Sequence, residues 1–526
     1  MSKPVFKPNN QHQMMLLPPD LSDLISEDHL VRIVDVTIDS IDATELYALY
    51  PGGGASAYDP KMLLKVIVYG YTCGIYSSRK IEQATRENIH FMWLCGMTPL
   101  DHMTVNRFRS KRIAPVFESI FTSVIELLAM RGLITLDTYF LDGTKIEANA
   151  NKYTFVWKKA VATNRKKLQD KVHRHLEEID RINEEEDRLA ESLPEPEEVT
   201  AEDIAEVARR INEKLKARPK DKPLAKAKKA FEGDYLARMS RYEQQLAIFQ
   251  ERRSFSKTDE DATFMRMKED HMQNGQLKAG YNVQIGTEDQ FIVSYTLHRR
   301  AGDTACMVDH LAHLKSRFGA LPHTLVADAG YGSEENYSYL EKHDVRAFVK
   351  YNLFHKEQKR SFKKDPTQMK NWTFNTEDDS WTCAQDKKLT FLKEKQTTSD
   401  LGFKSTTRLY KCEDCAGCPH QAKCTKSDDE VKNRLIYVNP SLERYRTRAS
   451  ARLTSDEGVV LRSRRATDVE TVFGDIKNNW GFKRFTLRGL VKVSLEWGLV
   501  ALGHNMRKLY RVLSGTNLTK AALFPA

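Results

Sequence analysis

Three acidic residues define the chemistry open to this sequence. Asp142 closes the apolar run ITLDTYFLD and is followed by GTKIEANAN; Asp328 closes a second run, HTLVAD, and is followed by AGYGSEEN. Glu470 lies in RRATDVETVFGDIKNNWGF, which reads as a helix, and Lys477 follows it by seven residues. Two carboxylates at strand ends and one on a later helix form an all-oxygen ligand set, the kind that suits hard divalent cations such as Mg²⁺. Two such ions, roughly 4 Å apart, clamp the attacking and leaving oxygens of an in-line phosphodiester displacement. These residue types point to metal-dependent chemistry on DNA. Taken singly they say less, because an Asp before Gly is ordinarily a turn residue and a lone helix Glu an exposed one.

The elements that must position the acids alternate in kind. ITLDTYFLDGTKIEA has strand composition, and GYNVQIGT with FIVSYTLH reads as an antiparallel pair. Helix ACMVDHLAHLKSRF, strand HTLVAD, helix SEENYSYLEKH and strand RAFVKY follow. This order, with acids at the ends of the first and fourth strands, predicts an α/β fold with a ribonuclease-H-like catalytic core over residues 131–526. Ahead of it, residues 1–130 read as an α-helical N-terminal domain. Pro60 sits in a first turn, Ser77 or Ser78 is a candidate cap, and Asp101 or Thr104 a candidate helix start. Arg107, Arg109, Lys111 and Arg112 read either as phosphate contacts or as a solvated face.

Two insertions interrupt the core. Residues 155–255 are highly charged, with narrow apolar seams: Leu168, Val172, Ile179, Ile182 and Leu189, counting His175 and Glu186 as imperfect positions; then Ile204, Ala208, Ile211 and Leu215; then Met239, Tyr242, Leu246 and Phe249. They predict a coiled-coil-like helical excursion. Residues 352–455 are basic and carry Trp and Cys. Within them Cys412, Cys415, Cys418 and Cys424 read C-x₂-C-x₂-C-x₅-C, with Cys383 upstream. Such spacing suits a structural Zn²⁺ stapling a core-poor segment, with reduced, unliganded thiols as the alternative. Trp372, Trp381 and Trp480 read as core, or with Arg488 and Lys492 as a grip on distorted DNA. Asp137, Asp259, Asp261 and Asp303 read as surface or turn residues.

Together these segments resemble the DDE transposases of bacterial insertion sequences, in the branch with a helical N-terminal domain and a cysteine-bearing insert before the final glutamate. YDPKMLLKVIVYGYTCGIYSSRKIE, FLDGTKIEANANKYTFVWKK, DATFMRMK, GYNVQIGTED, ADAGYGSEEN and VETVFGDIKNNWGFKRFTLRGL carry the likeness nearly end to end. The resemblance implies that Asp142, Asp328 and Glu470 bind two Mg²⁺ or Mn²⁺ ions. It also implies that Lys477 approaches DNA phosphate beside the cut. The family's arginine four residues before the glutamate is replaced by Ala466, leaving Arg464 and Arg465 as candidates for that role, with Arg488 a further DNA contact. The implied activity is binding of the element's terminal inverted repeats, strand cleavage, and transfer of the freed 3′-hydroxyl to target DNA by a homodimer or higher assembly. An end-binding protein that no longer cuts, and a ribonuclease-H-like nuclease without strand transfer, are the alternatives.

Composition agrees with such a partner. The 526 residues carry a formal net charge of +10, concentrated in basic clusters such as Arg462, Arg464 and Arg465. No apolar run approaches the ~18 residues of a membrane helix. The N-terminal MSKPVFKPNNQHQ has no signal-peptide core, and bunched cysteines without an export signal suit a reducing cytoplasm.

Overall fold

Ten residues, Thr138–Glu147 (β1), are buried along nearly their whole length, as a strand in the middle of a sheet must be. The computed structural model describes residues 20–50, 57–183, 189, 194–267, 276–425 and 433–515. The N-terminal MSKPVFKPNNQHQ, Glu186 and the Ile182 side chain, all used in the reading above, lie outside the described residues. The chain divides into two units. One is Leu136–Glu288 with Val293–Glu496; the other joins Met1–Thr135 to Asp289–Ile292 and Trp497–Ala526.

In the larger unit a short antiparallel pair, Phe155–Trp157 (β2) and Ser254–Ser256 (β3), follows β1. Next come Thr263–Arg266 (β4), Leu277–Glu288 (β5), Phe291–His298 (β6), Thr324–Ala327 (β7) and Arg346–Val349 (β8). The main sheet has the order β4-β5-β1-β7-β8, with β6 also paired to β5. Strand β1 runs antiparallel to β5 and parallel to β7, which runs parallel to β8. Parallel neighbours need crossovers, supplied by the helices Met307–Phe318 and Glu334–Lys342. The mixed α/β order expected from the sequence is therefore present. One boundary differs: β1 does not stop at Asp142. Pairing with β5 continues to Glu147 opposite Gly280, so the acid lies mid-strand.

Between β2 and β3 stand helices Lys158–Asn183, Ala201–Ala217, Lys222–Ala230 and Leu236–Phe249. Their apolar stripes meet in one core that includes Val172, Ile179, Ile204, Ile211, Phe231 and Met239. Leu176 is buried in that core, while His175 packs its ring against Phe231 and Tyr235. Further on, Thr373–Asn375 (β9), Ser380–Thr382 (β10), Lys388–Thr398 (β11), Lys404–Cys412 (β12) and Leu435–Val438 (β13) form a second sheet in sequential order.

The smaller unit is helical where it is described, apart from the turn and the first residues of β6 in Asp289–Ile292. Asp59 caps the helix Pro60–Thr72, Ser77 precedes Ser78–Glu87, and Asp101 caps His102–Arg107. Arg109 is no surface phosphate ligand: it is buried and donates to the Tyr71 hydroxyl at 3.0 Å and the Tyr76 carbonyl at 2.8 Å. Among the described residues no single helix is long and apolar enough to cross a membrane.

Candidate active site

Sheet register brings two of the acids together. Leu141 on β1 pairs with Ala327 on β7, so the next residues, Asp142 and Asp328, emerge side by side from neighbouring parallel strands. Each carboxylate divides its oxygens. Asp142 accepts the Gly143 N–H at 2.9 Å on Oδ1, and Asp328 accepts the Gly330 N–H at 2.8 Å on its own Oδ1. The local bond of a turn residue is thus made at Asp328, and it leaves Oδ2 pointing elsewhere. In both residues that second oxygen faces Arg465, at 3.0 Å from Asp142 and 3.8 Å from Asp328. The other end of the same guanidinium lies 2.7 Å from Glu470 Oε1. Residues 142, 328 and 470 therefore converge on one buried cation from three separate elements. Burial opposes the charge on Arg465, but the three carboxylates outweigh it and hold the guanidinium above its ordinary pKa.

The helix that carries Glu470 has an uneven pitch, and this explains the arginine. It runs as Asp456–Arg465, then widens to a π turn over Ala466–Glu470, in which the Thr471 N–H bonds to the Ala466 carbonyl. An i→i+5 pitch places Glu470 over the residue five before it, Arg465, and leaves Ala466 exposed to solvent. A second π turn spans Asp475–Asn479 and turns Lys477 inward. Lys477 is buried and donates to Thr144 Oγ1 at 3.1 Å; Thr144 shares its face of β1 with Asp142. Arg464 is more exposed, 3.5 Å from Asp468 and stacked over Phe140. Arg488 lies on the surface and donates to the Asn149 carbonyl at 2.8 Å.

Beneath the acids is a polar network that the sequence reading missed. Asp303 accepts from Asn282 at 2.8 Å and from Gln284 at 3.0 Å, and the buried Tyr331 hydroxyl donates to Gln284 Oε1. Gly143 seals this layer. A Cβ there would meet Gln284 Nε2 at 2.3 Å and Asp303 Oδ1 at 2.7 Å. Asp303 is therefore not a plain turn residue; the signal available was the alternation N-x-Q in GYNVQIGT, which puts two amides on one face of β5. Asp259 and Asp261 also leave the surface class. Asp259 is buried, accepting the Tyr281 hydroxyl at 2.8 Å and the Gly489 N–H at 3.2 Å, and Asp261 pairs with Arg299 at 2.7 Å. Lys350, just past β8, completes the rim. Burial lowers its pKa and Arg465 and Arg462 lower it further, against Asp328 and Glu470.

The cysteines lie apart from this cluster. Cys412, Cys415, Cys418 and Cys424 line one small cavity beside the second sheet, together with Cys383. Trp372 is buried in that sheet's core, with Trp381 packed against it.

A family profile described as a transposase DDE domain matches residues 382–510, and one described as a transposase domain (DUF772) matches residues 19–111. The chain is a DDE-type transposase. It is of the insertion-sequence kind, and the transposase is an enzyme. The DDE match takes in Arg465, Glu470 and Lys477, whereas Asp142 and Asp328 lie outside it, set side by side by the sheet register and tied to Arg465 by ion pairs. No curated protein matches the transposase. DDE transposases use divalent metal ions, and three carboxylates converging around one buried positive charge are a donor set that fits such ions.

Proposed function

We propose that the transposase binds the terminal repeats of its insertion sequence and catalyses Mg²⁺-dependent strand cleavage and strand transfer in a ribonuclease-H-like core. The observation that carries this reading is the convergence of Asp142, Asp328 and Glu470 on Arg465. The two strand acids and the helix acid are the residues that hold Mg²⁺ or Mn²⁺. When bound, two such ions supply Lewis-acid stabilisation to the attacking and leaving oxygens of an in-line displacement.

The chain's own residues do the rest. Asp142 and Asp328 are fixed by the Gly143 and Gly330 amides, so the oxygens that face Arg465 are aimed before DNA arrives. Arg465 balances the acids' charge and turns to the scissile phosphate once cations take over that task. Lys477, Arg464 and Arg488 are the remaining DNA contacts, and Lys350 stands at the rim for a flanking phosphate. The two charged or basic segments, 155–255 and 352–455, are insertions in this core. Two copies of the chain pair the two element ends, and the reaction takes place in the cytoplasm.

An in vitro reaction on labelled element ends with Mg²⁺ tests the reading. The expected result is a nick at the element's 3′ end and, from a pre-cut 3′-hydroxyl end, a joined product. Cleavage without any joined product would reduce the protein to a nuclease. Binding without cleavage would reduce it to an end-binding protein.

A further inference from the structure

The second sheet has a very small core. Its buried members are Trp372, Leu389, Tyr410, Cys412, Ile436 and Val438. So few apolar side chains do not hold a segment of this length unaided, and small cores of this kind are commonly stapled by a metal.

Five cysteines stand at that core. Leu389 on β11 pairs with Trp381 on β10 and Cys412 on β12, so the exit of β10 and the end of β12 lie either side of one strand. Cys383 is in the turn leaving β10, its N–H bonded to the Lys387 carbonyl at 2.9 Å. Cys415 accepts the Arg434 N–H on its sulfur at 3.3 Å, a bond that orients the thiol. Cys424 ends the short helix Gln421–Cys424. The cavity that all five line is about 30 Å³, the room of a single small particle, and no carboxylate lines it. Five thiols, beside Lys387, Arg434 and neutral side chains, make a donor set that selects a soft, tetrahedral ion over Mg²⁺.

The five are not equivalent. Cys383, Cys415 and Cys424 pack against the buried core containing Cys412, whereas Cys418 only borders the cavity. We propose that one structural zinc ion is held by Cys383, Cys412, Cys415 and Cys424, with Cys418 outside the ligand set. The run C-x₂-C-x₂-C-x₅-C gives the contiguous four instead. The fold replaces its third member with a residue about thirty positions upstream, closing a loop across the whole sheet. The zinc is structural and does not depend on the DNA chemistry.

The test is zinc content of the purified full chain, by elemental analysis, for the parent protein, Cys383→Ser and Cys418→Ser. One zinc per chain is expected in the parent and in Cys418→Ser, and at least a tenfold weaker hold against a chelator in Cys383→Ser. Should Cys383→Ser fail to fold, thiol alkylation of the parent read by mass spectrometry decides. Cys418 is expected to react in the zinc-loaded protein, and Cys383, Cys412, Cys415 and Cys424 only after chelation. A parent without zinc, or zinc lost by Cys418→Ser and kept by Cys383→Ser, would overturn the assignment, as would protection of Cys418 with Cys383 reactive.

Discussion

Arg465 touches all three acids, and its removal isolates their electrostatics. Three carboxylates share one buried guanidinium, whose single positive charge offsets part of theirs only while it stays. Breaking the buried Asp142–Arg465 pair costs on the order of 3–5 kcal/mol because the Asp142 charge is left unmatched, while the more exposed Asp328 and Glu470 add little. In metal-free buffer Arg465→Ala is therefore expected to unfold at clearly lower urea than the parent. Added Mg²⁺ should restore much of the loss and stabilise the variant more than the parent. Equal Mg²⁺ effects on both proteins would show that the acids do not bind the ion together. The acids were legible in the sequence because each ends or follows a recognisable apolar pattern. The arginine's partner was not: counted at α-helical pitch, Ala466 falls where the cation should be, and only a π turn hands that place to Arg465. Asp303 carries no motif of its own, since its role depends on the Asn282 and Gln284 amides of β5.

Strand β1 acts as the ruler of the site, and its glycine sets how closely β5 and the Asp303 loop approach. A Cβ at Gly143 meets side-chain atoms inside the distance that real contacts allow. Gly143→Ala is expected to keep its far-ultraviolet circular dichroism yet cleave element ends about 10–100-fold more slowly, since roughly 1 Å of misplacement costs that much. Unchanged cleavage would mean that the layer beneath Asp142 has no part in aiming it. Strand and helix order was readable from hydrophobic periodicity, because each segment keeps one period through its length. Register was not readable. That Leu141 faces Ala327, and not a neighbour one residue away, is decided by packing between segments far apart in the chain. The seams of residues 155–255 lie on helices, except Leu189, which stands beyond Lys158–Asn183; in place of a coiled-coil-like excursion these helices share one core, which no single stripe in the sequence announces.

For the molecule as a whole, residues 289–292 and 497–515 join the N-terminal helices in one unit, a return that no local pattern in the sequence announces. Another property held in the fold is acid sensitivity. His298 is pushed down to about 4 by burial, and the fully buried His310 well below its ordinary value for the same reason. Both share the Thr296 hydroxyl, and His310 also meets the Tyr139 hydroxyl at 2.7 Å. The unfolded chain binds these protons near pH 6.5 and the folded one only at lower pH, so stability must fall as pH drops through that window. His298 alone contributes a loss on the order of 3 kcal/mol between pH 6.5 and 4. The urea midpoint should drop over that range, and less steeply in His298→Gln; a midpoint flat from pH 7 to 4.5 would contradict it. The central claim concerns the acids, and the most direct test is strand cleavage by Asp142→Asn, Asp328→Asn and Glu470→Gln beside the parent, with end binding measured in parallel. Each variant is expected to bind element ends within a few-fold of the parent and to cleave them at least about a thousandfold more slowly. Cleavage at the parent's rate by any one of the three would contradict a shared metal site.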